Sequence, residues 1–486
     1  MTDAPVVVQM TTNGTGMGHL SRQVAIGTAL APALDPVLFS LSTAIRTVLA
    51  AGTAAGGGAV APRGEYAPSY HRNWMPVPEW HGYLRDRLVS LVRETGARVV
   101  GFDGVVPYLG VLRARALLPD VAFVWFRRGM WRPGLNAAAL RAAPFFDEIV
   151  EPGDLAGAAD RGATARRSDA VRVAPVTGMG QLRLLDRADA QAGLGLEPGR
   201  PVVLVNLGGW AHRPERSGSG WWSSAAGGIV TQLMAGTDWQ IALLRTPILT
   251  EELRAAQTDR LHVIGDVYPL AAYLHAFDAA VAEAGYNGFH ELLLAGVPTL
   301  FVPKSTRTDD QSARGRWAAA TGVGLHAAER SDIPVQLSRL LDPGTRSDLA
   351  TVAEQLPRAN GAPEAAALVA ALAHGGFRHR PGIAERRRVT VLESKATVSR
   401  LIGPAATDRL RGLRGRAATA AARGPARRIT ADPLIVTDLT GVDLLARRPV
   451  EHVLPGTSAH YLDVREQLAR TYYRVPPGWR QSVLEP

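Results

Sequence analysis

Short, unbroken apolar runs recur along the early part of the chain, at 5–10 (PVVVQM), 36–41 (PVLFSL), 97–102 (ARVVGF) and 121–126 (VAFVWF). None alternates with polar residues, so each predicts a strand covered on both faces, as in a parallel sheet between helices. Helix-length stretches at 20–31, 82–95 and 107–117 separate them. This alternation predicts a doubly wound α/β domain over residues 1–180. The pattern restarts at 201–206 (PVVLVN), 239–245 (WQIALLR), 261–265 (LHVIG), 278–282 (DAAVA) and 298–302 (PTLFV), predicting a second such domain over 195–375. The Gly-rich stretch 177–200 holds no apolar run and links the two. Tandem α/β domains place a cleft between the carboxyl ends of their sheets, where such folds take ligands. Past residue 375 the chain turns Arg- and Ala-rich, and 376–486 reads as an extension of unassigned role.

Composition narrows the class. At 486 residues the chain suits two or three domains, and 46% hydrophobic with 20% charged residues is globular. No apolar run approaches the roughly eighteen residues that predict a membrane-spanning helix. The opening MTDAPVVVQM lacks the basic start of a secretory signal, so a cytoplasmic protein is the expectation. The absence of cysteine excludes disulfides, thiolate metal sites and a cysteine nucleophile. The net charge of +10 is local: residues 378–428 carry 14 Lys and Arg against 3 Asp and Glu. Such a segment would attract the anionic inner face of a cell membrane, at about 1 kcal/mol per basic residue. A solvated Arg/Ala-biased appendage is the plainer alternative. No specific nucleic-acid motif accompanies it.

The densest chemistry lies at 281–311, VAEAGYNGFHELLLAGVPTLFVPKSTRTDDQ. A strand ends at Ala282, and the turn Gly285-Tyr286-Asn287-Gly288 opens a helix. Free N–H groups and the positive dipole end at a helix start suit a diphosphate, and small residues let it approach the backbone. Glu291, one turn on, can accept from both hydroxyls of a ribose, while Asp310 and Gln311 can reach the hydroxyls of a sugar. This stretch resembles the donor box of the GT-B glycosyltransferases that use UDP-sugars. It is similar to the plant-type box His-Cys-Gly-Trp-Asn-Ser-x-x-Glu ending in Asp/Glu-Gln, and to the N-acetylglucosaminyltransferase of peptidoglycan synthesis (the family 28 C-terminal type). Gly285, Asn287 and Glu291 are in register, with Tyr286 for Trp and Gly288 for Ser. The resemblance spans about residues 5–330. It includes the Gly-rich loop VNLGGWA at 205–211, where it implies a donor contact at Gly209, and IGDVYPL at 264–270, where it implies the nucleobase near Val267 and Tyr268. One position departs: Glu283 stands where the plant-type box has a phosphate-contacting histidine. Either Glu283 turns away, or a cation such as His212 or Arg213 compensates.

The loop 13–19, NGTGMGH, spaces its glycines one residue too closely for a dinucleotide fingerprint. In a GT-B enzyme this loop faces the cleft, and a histidine at the first helix serves as general base. The chemistry suits His19: a neutral imidazole can take an acceptor proton near pH 7, and a helix N-terminus disfavours the imidazolium. A helix cap or an acceptor contact is the alternative. Asp103, past the strand ARVVGF, matches by position the aspartate of the plant-type dyad. Gly16 and Gly18 leave room for an acceptor. Arg127 and Arg128, in WFRRGMWR at 125–132, either hold an anionic acceptor or lie in a solvated loop. The Gly/Ser/Trp stretch 208–228 is a candidate lid. No metal constellation is legible.

The expectation is thus a metal-independent, inverting glycosyltransferase with two Rossmann-like domains facing a cleft. It would need no cofactor beyond a UDP-sugar co-substrate carrying a hexose or N-acetylhexosamine. Its acceptor is unnamed, with a lipid-linked or cell-envelope glycan implied by the resemblance. A GT-B epimerase or hydrolase, which would need further cleft carboxylates, and a non-catalytic sugar-nucleotide binder, which would not need His19, remain as alternatives.

Overall fold

The computed structural model describes residues 4–375 apart from 13–16, 55–62, 70–74, 209–224, 245–257, 266 and 307, and beyond 375 only residues 379, 382, 383, 385, 387, 390 and 391. The first sheet has seven parallel strands in the order β3-β2-β1-β4-β5-β6-β7. They are β1 Val6–Thr11, β2 Asp35–Ser40, β3 Arg63–Tyr66, β4 Val99–Asp103, β5 Ala122–Phe126, β6 Glu148–Pro152 and β7 Val171–Val173. The first four apolar runs of the sequence are its central strands. The helices between are α1 Gly18–Leu30, α2 Ile45–Ala54, α3 Val77–Thr95 and α4 Leu109–Leu117.

The second sheet has six parallel strands, β10-β9-β8-β11-β12-β13. These are β8 Val202–Asn206, β9 Gln240–Leu244, β10 Leu261–Ile264, β11 Ala279–Ala282, β12 Thr299–Phe301 and β13 Leu325–His326. Around it lie α5 Arg187–Gly193, α6 Ala225–Gly236, α7 Tyr286–Leu294, α8 Gln311–Thr321, α9 Ile333–Leu341 and α10 Pro343–Glu354. Each sheet is buried on both faces. In the first, Val100, Phe102 and Trp125 face one apolar cluster with Trp80 and Trp131, while Val99 and Val124 face another built on α1. This is why the strands read as continuous apolar runs.

The last described helix, α11 Ala362–His374, follows the second domain in sequence but packs on the first. Ala362, Ala365, Ala366, Val369 and Ala373 lie in one cluster with Val7, Ile26, Leu30 and Val173. Gly361 starts the crossing: its N–H donates to Pro175 O at 2.9 Å, and a Cβ there would lie 2.0 Å from Ala174 O. Residues up to 375 therefore contribute to both cores. Among the described residues no helix is long and apolar enough to cross a membrane.

Candidate active site

β1 and β4 are neighbours in register, with Thr11 opposite Asp103, so the carboxyl end of β4 lies beside the loop that enters α1. His19 is the second residue of α1. Its Nδ1 lies 2.7 Å from Asp103 Oδ1, the pairing anticipated from the sequence. No motif marks a third partner, Arg22, one turn along α1. Its Nε donates to Asp103 Oδ2 at 2.8 Å and its Nη2 to Oδ1 at 2.5 Å, while Gln23 Nε2 donates to Oδ2 at 3.0 Å. Gln23 is held in turn by Gln9 from β1. Asp103 is wholly buried. Burial opposes its ionisation, but Arg22 and His19 outweigh that and hold the carboxyl well below the usual carboxylate range. Burial lowers the His19 imidazole; Asp103 pulls it up, Arg22 and Arg128 push it down, and the net is below the ordinary histidine value. With Nδ1–H donated to the carboxylate, Nε2 keeps its lone pair, and the side chain retains 21% exposure.

The second domain faces this with α7. Gly285 is its N-cap, with no side-chain cap, so the first-turn N–H groups are left for another partner. A Cβ on Gly288 would meet nothing within 4 Å. Among the described residues neither amide atom of Asn287, both buried, has a hydrogen-bond partner, and Oδ1 would lie 3.6 Å from a Cβ on Gly18. The N-termini of α1 and α7 thus meet across the cleft. Glu291, one turn further, is pushed up to about 7 by burial alone. Tyr268 hydrogen-bonds the Ser21 side chain on α1 and packs with Met17 and Leu20, while Val267 stays with the second domain's core.

Glu283 turns toward the backbone of Gly208, whose φ is +62°; a Cβ there would lie 2.5 Å from Oε1. Lys304 Nζ is 3.9 Å from that oxygen, and Gln311 Nε2 donates to Oε2 at 3.4 Å. The described cation beside this carboxylate is therefore Lys304, while the anticipated His212 and Arg213 lie outside the described residues. Burial raises the Glu283 carboxyl despite Lys304. Asp310 caps α8 by accepting from Ala313 N at 3.0 Å, and Gln311 Oε1 accepts from Lys304 N at 2.8 Å. Both still line a cavity of about 300 Å³ with Arg132, Lys304 and Thr306.

The anticipated acceptor arginines have other partners. Arg127 is wholly buried, donating to Asp169 at 2.8 Å and Glu151 at 3.5 Å, so it is a structural ion pair and does not reach an acceptor. Arg128 crosses the cleft instead, donating to Asp309 Oδ1 at 2.6 Å. The same oxygen accepts from Arg314 Nη1 at 2.8 Å, and Arg314 Nε reaches back to Asp154 at 2.8 Å. Tyr286 adds a second seam: its hydroxyl donates to Gly153 O at 2.7 Å and accepts from Val176 N at 3.0 Å. His290 Nε2 accepts from Leu155 N at 3.0 Å. No sequence motif marks Arg314, Asp154 or His290. Gly16 and Gly209, most of the 208–228 loop and nearly all of 378–428 lie outside the described residues.

No family model matches the chain. Among curated proteins it is similar to the UDP-N-acetylglucosamine--N-acetylmuramyl-(pentapeptide) pyrophosphoryl-undecaprenol N-acetylglucosamine transferase of Clavibacter michiganensis subsp. michiganensis. The two are 27% identical over 207 residues, 39% of this chain and 51% of the relative. The chain thus spans about half the length of the curated relatives it matches. Among solved structures it is similar to the glycosyltransferase SnogD from Streptomyces nogalater, at 20% identity and TM-score 0.51, covering 76% of this chain and 100% of that one. It is also similar to an Os79 variant from O. sativa in complex with UDP, at 14% identity and TM-score 0.53, with 76% and 100% covered. The chain has the GT-B fold, and its sequence is similar to that of the peptidoglycan N-acetylglucosaminyltransferases.

Proposed function

We propose that the protein is an inverting, metal-independent glycosyltransferase that moves a hexose or N-acetylhexosamine from a UDP-sugar to an acceptor hydroxyl. The observation that carries this reading is the histidine–carboxylate pair, His19 and Asp103, set opposite the uncapped N-terminus of α7. In the proposed reaction His19 Nε2 takes the acceptor proton as the hydroxyl oxygen attacks the anomeric carbon. The bond to the diphosphate oxygen breaks, and UDP leaves. Asp103, already ionised, stabilises the imidazolium that forms. The N–H groups of α7, with Asn287 and Gly288, hold the diphosphate as charge develops on it. Glu291 takes the ribose hydroxyls, Val267 and Tyr268 flank the base, and Asp310 with Gln311 address the sugar across the cavity they line.

The curated relatives act on a lipid-linked acceptor by their printed names. A lipid-linked or cell-envelope acceptor, approached at the inner membrane face through the basic residues 378–428, is the corresponding proposal here. The test is a panel of nucleotide sugars scored by thermal shift, followed by turnover of the best binder with wild type, His19→Ala and added EDTA. The reading expects a UDP-sugar to raise the melting temperature, His19→Ala to abolish transfer while retaining UDP, and EDTA to change nothing. No stabilisation by any UDP-sugar would refute the donor class. Full turnover in His19→Ala would remove the base. Release of free sugar without an acceptor would identify a hydrolase.

A further inference from the structure

Arg22 is buried to 1% exposure, yet it carries a full charge. Its guanidinium lies between two elements that belong to different domains. On one edge it is bidentate to Asp103 on β4. On its face lies the Tyr286 ring of α7, 5.0 Å from the guanidinium carbon to the ring centroid. That ring is immobilised by the bonds of its hydroxyl to Gly153 O and from Val176 N. Arg22 Nη2 also lies 3.1 Å from His19 Nδ1. When Nδ1 carries the proton given to Asp103, both groups are donors. Their contact is then a repulsion shared around one carboxylate oxygen.

The arrangement differs from a plain histidine–aspartate pair. In a plain pair the carboxylate charge belongs to the imidazole alone and favours its protonated form. Here a fixed cation takes both carboxylate oxygens, and Arg128 from the β5 exit adds a second positive charge bearing on the same ring. The groups facing the His19–Arg22 pair are Asp103 from β4, Arg128 from the loop after β5, Tyr286 from α7 and Asp309 from the loop before α8.

We propose that Arg22 is a positioning residue: clamped between Asp103 and the Tyr286 ring, it orients the carboxylate and adds its charge to burial in keeping the His19 imidazole neutral, so that the base is tied to the seating of the donor helix α7. This rests on the reading of His19 as the base. It adds a link between the two halves of the cleft, since a displacement of α7 would move the ring off Arg22 and loosen the grip on Asp103.

The experiment is an NMR titration of histidine-labelled full chain, with the His19 resonance assigned by its loss in His19→Gln. In wild type the His19 midpoint falls below the ordinary value of about 6.5. In Arg22→Gln it rises by roughly one to two units, because a like charge is removed and Asp103 is freed for the ring. In Arg22→Lys, which keeps the charge without the bidentate fork, the midpoint moves far less. Turnover there falls through kcat with little change in donor KM. A wild-type midpoint above about 7, readable even if Arg22→Gln does not fold, overturns the proposal, and so does an unmoved midpoint in a folded Arg22→Gln. Midpoints that move as stated in a protein that turns over no UDP-sugar would leave the electrostatic link standing and sink the functional reading. Turnover with unmoved midpoints would do the reverse.

Discussion

Replacing Glu291 by glutamine separates what the proposed donor site costs from what it does. The Glu291 carboxyl is pushed from 4.5 up to about 7, and burial is the sole cause. Each unit corresponds to about 1.4 kcal/mol, so the ionised side chain destabilises the unliganded protein by about 3 kcal/mol. The folded-state value lies above the unfolded one, so this cost is absent below pH 4.5, grows through the interval and is complete above pH 7. Ribose hydroxyls donating to the carboxylate would offset it. UDP should therefore bind with release of a proton, and its affinity should fall about tenfold for each unit below pH 7. In Glu291→Gln the neutral amide removes the cost, so the unliganded protein should melt several degrees higher near pH 8 and unchanged near pH 4.5. UDP affinity near pH 8 should drop on the order of 10- to 100-fold, the value of a hydrogen-bonded charge. Its pH dependence should flatten. Thermal scans with and without UDP, together with calorimetric titration in buffers of different ionisation enthalpy, read each quantity. A lower melting temperature for unliganded Glu291→Gln near pH 8 would mean that the carboxylate already has a partner. The reasoning would then fail.

Three further substitutions probe the rest of the cleft. Asp103→Asn should cut kcat by roughly 10³–10⁴-fold with UDP affinity intact, because the amide neither fixes the His19 tautomer nor balances its charge; steady-state kinetics beside calorimetry decide it. Arg314→Met leaves Asp154 and Asp309 buried without their shared cation and should cost about 3–5 kcal/mol, read by denaturant unfolding; a loss under about 1 kcal/mol would mean that water replaces the arginine. Gly208→Ala meets both a φ of +62° and the Glu283 carboxyl oxygen 2.5 Å from the new Cβ, so it should lose about 1–2 kcal/mol and weaken UDP binding, whereas unchanged binding would detach this loop from the donor.

The strands legible in the sequence are those buried on both faces, where the apolar run is unbroken. β1, β2, β4, β5 and β8 to β12 fall within a residue or two of their apolar runs. Those that escaped are short or polar: β3 is RGEY at the sheet edge, β6 is EIVEP, β7 is VRV with two exposed residues, and β13 has two residues. β3, β7 and β13 are edge strands, which need no apolar outer face, whereas β6 is interior and its apolar run is broken by Glu148 and Glu151. The pairing of His19 with Asp103 was legible because both sit at carboxyl ends of adjacent parallel strands, a position fixed by topology. Arg22 was hidden by its surroundings, since one arginine in an amphipathic helix reads as solvated until its partner is known. Arg127 misled for the same reason in reverse. Its neighbours in sequence suggested an open basic loop, whereas Asp169, 42 residues away, had already taken its charge.

The buried arginines share one logic. Buried ion pairs add little net stability compared with apolar packing of the same volume, because desolvation offsets the Coulomb gain. Their geometry, however, is directional. Arg128 to Asp309, Asp309 to Arg314 and Arg314 to Asp154 form a chain that crosses the cleft twice, and the two crossing links, Arg128–Asp309 and Arg314–Asp154, each tolerate one relative placement of the sheets. That placement brings the start of α7 to the start of α1, with Asn287 over Gly18. Two uncapped helix N-termini then point into one space, with Arg22 and Arg128 beside it and with the unpartnered amide of Asn287 aimed across it. Such a space offers backbone N–H groups and a side-chain amide to a further partner. In the proposed reaction a group bearing two negative charges, attached to a sugar that reaches Asp310 on one side and meets His19 on the other, would fill it. A nucleoside diphosphate leaving group has that form, and fixed donors would stabilise its charge without reorganising at the moment of transfer.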